Sequence, residues 1–173
     1  IALNPQVAII SNPTSNHIDI AKKLASRGVN LLIEKPISDS SKGVQDLIDT
    51  CYQNNITLMT GYNLRFLPSL IEFKKQINSE KVGKIYSVRT EVGQYLPDWR
   101  PESDYRDGVS SQQKLGGGAL LELSHEIDFL LWIFGKISWV KSHVSKQSDL
   151  EIDVEDSAQV ILGFQEVDGA VLT

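Results

Sequence analysis

Cysteine is nearly absent: the 173-residue chain has one, Cys51. A lone thiol cannot close an internal disulfide, and a reducing, cytoplasmic setting is the simplest inference from it. Cys51 stands in a helical pattern, where it reads as a small buried hydrophobe. Basic residues are not in excess, since 17 Lys and Arg face 22 Asp and Glu for a net charge of -5. That argues against the basic surface expected of a nucleic-acid binder. No apolar run approaches the length of a membrane span, and no charged-then-apolar leader is present. The Gly-x-Gly-x-x-Gly turn of dinucleotide-binding folds is missing, and so is an initiator methionine. The chain opens on Ile-Ala-Leu-Asn-Pro and closes on Gly-Ala-Val-Leu-Thr, which reads as mid-strand. These ends predict the middle of a longer protein. With 41% apolar and 23% charged residues, the composition is that of an ordinary globular protein with one good core or two small ones.

The periodicities divide the chain in two, at 1–62 and 63–173. In the first part, Gln6–Ser11 reads as a short buried strand. Asn12-Pro13-Thr14-Ser15-Asn16 is turn chemistry, and Asp19 three residues after Asn16 predicts a capping-box-like helix start. Ile18, Ala21, Leu24 and Ala25 recur at helical spacing, and Gly28 ends that helix in the left-handed position. Leu31-Leu32-Ile33 reads as a strand buried on both faces. A second helix is predicted from about Ser40 to Asn54 and a third strand over Ile56–Thr60. Alternation of β and α with short links implies parallel strands and right-handed crossovers. In the second part, a helix is predicted from Pro68 to about Ser79. Residues 84–95 alternate as a strand buried on one face, 96–118 read as a long loop, and one helix runs over 120–134. Strands follow at 137–145 and 155–164, a turn at Val167-Asp168-Gly169, and a further strand from Ala170. The expected class is α/β plus α+β: a partial Rossmann-like parallel sheet, then an open antiparallel sheet with helices on one face.

Four groups of residues could carry chemistry. Pro36 must stop the second strand, leaving Glu34 and Lys35 at its carboxyl end, where open α/β sheets bind ligands. A lysine half out of water beside a carboxylate suits proton transfer; a solvated strand-capping lysine is the plainer reading. Ser11-Asn12-Pro13-Thr14 joins a strand end to a helix N-terminus, which favours polar or anionic groups. Taken alone, such turns mostly cap helices, and His17 just after it reads as a surface residue. Glu122 and His125 stand three apart in the predicted helix, so they share a face and could share a proton; the alternative is a helix-start Glu and a structurally satisfied His. Trp99-Arg100 and Tyr105-Arg106 put two arginine forks and two aromatics into the long loop. They read equally as a binding loop for an anionic sugar or nucleotide-linked sugar and as a surface loop anchored by Trp99. Asp153, Glu155 and Asp156 read as a solvated strand start, and no metal site is expected.

The ordered set Asn-Pro-Thr-Ser-Asn-His (12–17), Glu-Lys-Pro (34–36), Gly-Tyr-Asn-Leu-Arg-Phe-Leu-Pro (61–68) and Gly-Gly-Gly-Ala-Leu-Leu-Glu-Leu-Ser-His-Glu-Ile-Asp (116–128) resembles the glucose–fructose oxidoreductase / inositol dehydrogenase (Gfo/Idh/MocA) family over nearly the whole chain. The resemblance implies an NAD- or NADP-dependent dehydrogenase acting by hydride transfer at a CH–OH group of a sugar, polyol or nucleotide-linked sugar. It implies catalytic roles for Lys35 and His125. It places Ser11, Asn12, Pro13, Asn16, His17, Glu34, Lys35, Asn63 and Arg65 at the cofactor, though Asn63 reads equally as a helix start and Arg65 as a partner for a carboxylate. Trp99, Arg100, Tyr105, Arg106, Glu122 and His125 would face the substrate. It also raises a cis Lys35–Pro36 bond and a homo-oligomer formed through the antiparallel sheet. The family carries Asp-x-x-x-His where this chain has Glu122-Leu123-Ser124-His125, one residue shorter, which puts Glu122 in doubt. Lacking the glycine-rich turn, these residues alone are expected to bind cofactor weakly and to show little activity. Two rivals follow: a family member without catalysis serving as a binding or regulatory subunit, and an unrelated hydrolase using Glu122 and His125 with a metal.

Overall fold

The computed structural model describes residues 4–79, 81–165 and 170–172. In chain order these form β1 (Val7–Ile10), α1 (His17–Ala25), β2 (Asn30–Ile33), α2 (Val44–Gln53), β3 (Leu58–Thr60), α3 (Pro68–Asn78), β4 (Arg89–Thr90), α4 (Leu96–Trp99), α5 (Ala119–Glu122), α6 (His125–Phe134), β5 (Ile137–Ser145), β6 (Ser157–Phe164) and β7 (Ala170–Leu172), with several 3-10 turns. They group into two compact units. One holds the chain up to Gly61 with Arg106–Glu122 and Glu151–Val154; the other holds Tyr62–Tyr105, Leu123–Leu150 and the chain from Glu155. No helix among the described residues is long and apolar enough to cross a membrane.

In the first unit, β1, β2 and β3 pair in parallel in that order. Both crossovers move the same way across the sheet, so the right-handed rule puts α1 and α2 on one face. There Ile18, Ala21, Ala25, Leu47 and Cys51 pack against Ile10, Leu31 and Ile33. The other face is open, and its Val7, Ile9 and Met59 are 59%, 69% and 49% exposed. The expectation of strands buried on both faces is therefore corrected: Leu31 and Ile33 are buried, while Leu32 is only half-buried. The capping box at Asn16 does not form either. Thr14–Asn16 is a 3-10 turn, and Asn16 sits at φ -102°, ψ -5° with no side-chain cap, outside the extended conformation an N-cap needs. Helix α2 starts at Val44 rather than near Ser40, with Gly43 ahead of it at φ +75°.

The second unit is built on a mixed sheet of order β4-β7-β6-β5, antiparallel except for β4 beside β7. Leu130, Ile133 and Phe134 of α6 and Val160, Leu162 and Phe164 of β6 are buried, with the Phe134 and Phe164 rings 5.8 Å apart. Among the described residues the predicted strand over 84–95 shrinks to Arg89–Thr90, which pair with β7. Tyr86 is accordingly 71% exposed. The predicted loop 96–118 holds α4 and short 3-10 turns, too brief for any period to register. The predicted helix over 120–134 is broken at Leu123–Ser124, so Glu122 ends one helix and His125 begins the next. The predicted turn at 167–169 lies outside the described residues.

Candidate active site

Strand β2 ends at Ile33, and the Lys35–Pro36 bond that follows is cis. The backbone N–H of Lys35 donates to Glu34 Oε2 at 3.2 Å. The Lys35 ammonium donates to the backbone oxygen of Glu122 at 2.7 Å and to Glu122 Oε2 at 3.2 Å. The lysine and glutamate side chains are 17% and 18% exposed, so the pair is largely out of water and weakly screened. The break after α5 is part of this contact, since the Glu122 carbonyl at the break is the one Lys35 holds. Glu122 Oε1 in turn accepts the Ser110 hydroxyl at 3.0 Å. An ammonium touching a carboxylate and a carbonyl is oriented for proton transfer and cannot swing freely. The shorter Glu122–His125 spacing thus does not remove Glu122 from Lys35.

The carboxyl end of β1 carries the turn to α1. His17 is 1% exposed and so is no surface residue. Its Nε2 lies 2.8 Å from the Asn12 oxygen and its Nδ1 3.0 Å from the Pro36 oxygen, which ties this turn to the segment of Lys35. The Asn12 side-chain oxygen is buried with no hydrogen-bond partner among the described residues. That is an acceptor waiting for a donor. After β3, a Cβ on Gly61 would stand 3.3 Å from Glu34 Oε1, so the Glu34 carboxylate lies against that backbone. The three parallel strands end in Asn12, Glu34 with Lys35, and Gly61, the edge where such sheets bind ligands. Gly116 sits at φ +81°, and a Cβ there would stand 2.8 Å from Thr14 Cβ, which is how closely the 106–122 segment approaches the turn.

Ser11, Asn12, Pro13, Asn16, His17, Glu34, Lys35 and Glu122 all belong to the first unit, as does Arg106, whose guanidinium pairs with Glu151 at 2.6 Å. Asn63, Arg65, Trp99, Arg100, Tyr105 and His125 belong to the second. There Arg65 grips the buried Asp128 in a fork, Nε to Oδ2 at 2.8 Å and Nη2 to Oδ1 at 2.6 Å. The Asp128 hydrogen bond holds the Arg65 guanidinium above its ordinary pKa. His125 meets Tyr62 edge to face, ring centres 5.7 Å apart, and the Tyr62 hydroxyl donates to Ser124 Oγ at 3.4 Å. Arg100 sits 6.0 Å from the Trp99 ring centre. Asn63 is exposed and opens a 3-10 turn. Two contacts had little or no sequence signal. Ser110 touches Glu122 from an aperiodic stretch, and Tyr62 meets His125 across 62 intervening residues, its place beside Asn63 being the single hint. Among the described residues no group of three His, Cys, Asp or Glu could hold a metal ion.

A parallel β-α-β-α-β sheet with a lysine–carboxylate pair at the end of its middle strand, followed in sequence by a mixed-sheet unit, defines a Rossmann-like α/β protein joined to an α+β domain. The chain belongs to the Gfo/Idh/MocA oxidoreductases: residues 2–62 match the oxidoreductase family with the NAD-binding Rossmann fold, and residues 70–173 match the GFO/IDH/MocA C-terminal domain. It is 29% identical over 146 residues to levoglucosan dehydrogenase of Pseudarthrobacter phenanthrenivorans, covering 82% of this chain and 37% of that protein. It is 28% identical over 158 residues to trans-1,2-dihydrobenzene-1,2-diol dehydrogenase of Xenopus tropicalis, covering 91% of this chain and 45% of that one. Its fold superposes with TM-score 0.81, at 20% identity, on the WlbA dehydrogenase of Bordetella pertussis in complex with NADH and UDP-GlcNAcA, covering 96% of this chain and 50% of that one. The chain spans less than half the length of the two curated relatives.

Proposed function

We propose that the complete protein is an NAD(P)-dependent dehydrogenase that moves a hydride between a CH–OH carbon of a sugar, polyol or nucleotide-linked sugar and a nicotinamide ring. Family membership supports the reaction class, and the sugar-related names of relatives support the substrate class. The observation that carries the reading is the half-buried Lys35 ammonium held by Glu122 at 2.7 and 3.2 Å at the carboxyl end of the parallel sheet. The residues present suit the cofactor: the buried, unpartnered Asn12 side-chain oxygen fits an amide donor such as a nicotinamide carboxamide. When bound, the nicotinamide supplies the hydride acceptor or donor.

The chain's own part is proton handling. As a hydroxyl carbon is oxidised its proton must leave, and Lys35 takes it as the neutral amine, becoming the ammonium that Glu122 holds; in the reverse direction the ammonium returns the proton. Glu122 keeps the lysine aimed and balances its charge. His125, which with Asp128 keeps the family's His-x-x-Asp spacing, is the second proton carrier of this reading. The shortened Glu122–His125 spacing would suit a non-catalytic binding subunit, and the Lys35–Glu122 pair argues against that.

The test is Lys35→Met in the complete protein, assayed with NAD(H) and NADP(H) against a panel of sugars and polyols. Turnover should fall by about 10²–10⁴-fold, the range for losing a general acid–base, in a variant that still unfolds cooperatively. A variant that keeps its turnover would remove the lysine from the chemistry and the reading with it.

A further inference from the structure

The Ser110 hydroxyl is buried, the residue being 8% exposed, and it meets Glu122 Oε1 at 3.0 Å. A carboxylate offers only acceptors, so Ser110 is the donor. The turn bearing Ser110 is pinned from several sides. The Gly118 N–H donates to the Ser110 oxygen at 3.1 Å and the Gly117 N–H to the Gln112 oxygen at 3.1 Å. The neighbouring Ser111 hydroxyl lies 2.9 Å from the oxygens of both Arg106 and Gly108. The Asp153 carboxylate accepts the Gln113 N–H at 2.6 Å, and the Asp153 N–H donates back to the Ser111 oxygen at 3.3 Å. Gly117 makes the packing possible, because a Cβ there would stand 2.1 Å from the Val109 oxygen. The hydroxyl is therefore fixed in space, while Glu122 is a side chain with three rotatable bonds.

We infer that Ser110 is the positioning residue of the lysine site, acting through Glu122. With Oε1 held by Ser110, the carboxylate plane is set and Oε2 faces the Lys35 ammonium. Without that bond only Lys35, among the described residues, restrains the carboxylate, and the lysine keeps the Glu122 backbone oxygen as its one partner of fixed direction. The inference rests on the reading of Lys35 as the proton carrier. Ser110 itself touches neither the lysine nor, on this reading, the reacting atoms, so its loss bears on the chemical step and not on cofactor binding.

The test uses the complete protein with Ser110→Ala, Ser110→Thr and Glu122→Gln, and the double change Ser110→Ala with Glu122→Gln. Ser110→Ala should lower kcat about tenfold, the scale of one hydrogen bond to a charged group, with the cofactor KM unchanged. Ser110→Thr, which keeps the hydroxyl, should restore most of it. In the Glu122→Gln background, Ser110→Ala should cost nothing further, because the pathway is already cut. Equal losses in both backgrounds, or a threonine no better than alanine, would overturn the inference while leaving Lys35→Met to judge the dehydrogenase reading separately. The arrangement is also read without turnover. In protein labelled with ¹⁵N-lysine, the Lys35 ammonium signal, assigned by its loss in Lys35→Met, should exchange slowly with water in the parent and in Ser110→Thr and broaden in Ser110→Ala. An ammonium signal indifferent to Ser110→Ala would also overturn it.

Discussion

Arg65 and Asp128 show what one pair can decide. The guanidinium is 41% exposed and the carboxylate 9%, so the acid depends on the base for its desolvated charge. Arg65→Ala leaves a buried carboxylate without its fork, and the second unit should lose roughly 1–3 kcal/mol, the cost of stranding a buried polar partner. Arg65→Lys should recover only part, since an ammonium cannot make two parallel bonds. Urea unfolding of the three proteins checks both statements; an unchanged midpoint in Arg65→Ala would show the pair to be worth nothing. At this scale the sequence was legible in kind but not in partner. Arg65 was visible as an arginine either for the cofactor or for a carboxylate, and Asp128 as part of a family motif. Nothing in one chain read along its length joins residues 63 positions apart. The same holds for Lys35 and Glu122, 87 apart, where the one-residue shortening before His125 even pointed away from the contact that forms.

Among the elements, the β5–β6 hairpin carries its own acid-sensitive clasp. Burial by itself would raise the Asp156 carboxyl, but it is outweighed by the Ser148 hydroxyl and the N–H groups of Gln147 and Ser148, which hold its pKa below the ordinary carboxylate value. A folded-state pKa below the unfolded one adds stability that is fully present above the unfolded pKa, about 3.9. It is lost as pH falls through the lower folded value. Asp156→Asn should thus cost about 1 kcal/mol near neutrality, the size of a partly solvated bond to a charge. The gap between parent and variant should close as pH drops below about 4. Denaturant melts from pH 7 to pH 3 read this directly, and a gap that grows toward acid would contradict the sign. Elements bound by dense apolar periodicity, β1 to β3 with α1 and α2, could be read from the sequence, because their spacing answers to one nearby core. Residues 84–95 misled because alternation reports sidedness and not strand pairing, which among the described residues is limited to Arg89 and Thr90. The break at Leu123–Ser124 was hidden because the apolar stripe from Leu120 to Phe134 continues across it, while the backbone oxygen of Glu122 is claimed by a lysine far upstream.

For the whole molecule, the mixed sheet leaves one face unclaimed. Its inward side is filled by Val160, Leu162 and Phe164; on the outward side Trp139 and Ile161 are 47% and 40% exposed. Trp139 lies flat over the next strand, for a Cβ on its register partner Gly163 would stand 1.9 Å from the indole nitrogen. A bulge between Ile137 and Trp139 sets that register, and the result is an outward face where Trp139 and Ile161 stand among Lys141, His143 and Gln159, with Lys141 opposite Ile161. A sheet face with exposed apolar residues suits pairing with a copy of itself about a two-fold axis, where each residue meets its symmetry mate or a near neighbour. We propose that the complete protein forms a homo-oligomer through this face. Ile161→Lys tests it: the new charge would stand beside Lys141 in its own sheet and face like charge across the axis, while the outward position leaves the core beneath untouched. Sedimentation equilibrium should show the parent associated at micromolar concentration and the variant monomeric with an unchanged melt. A parent that is monomeric, or a variant that still associates, would move the contact to another surface.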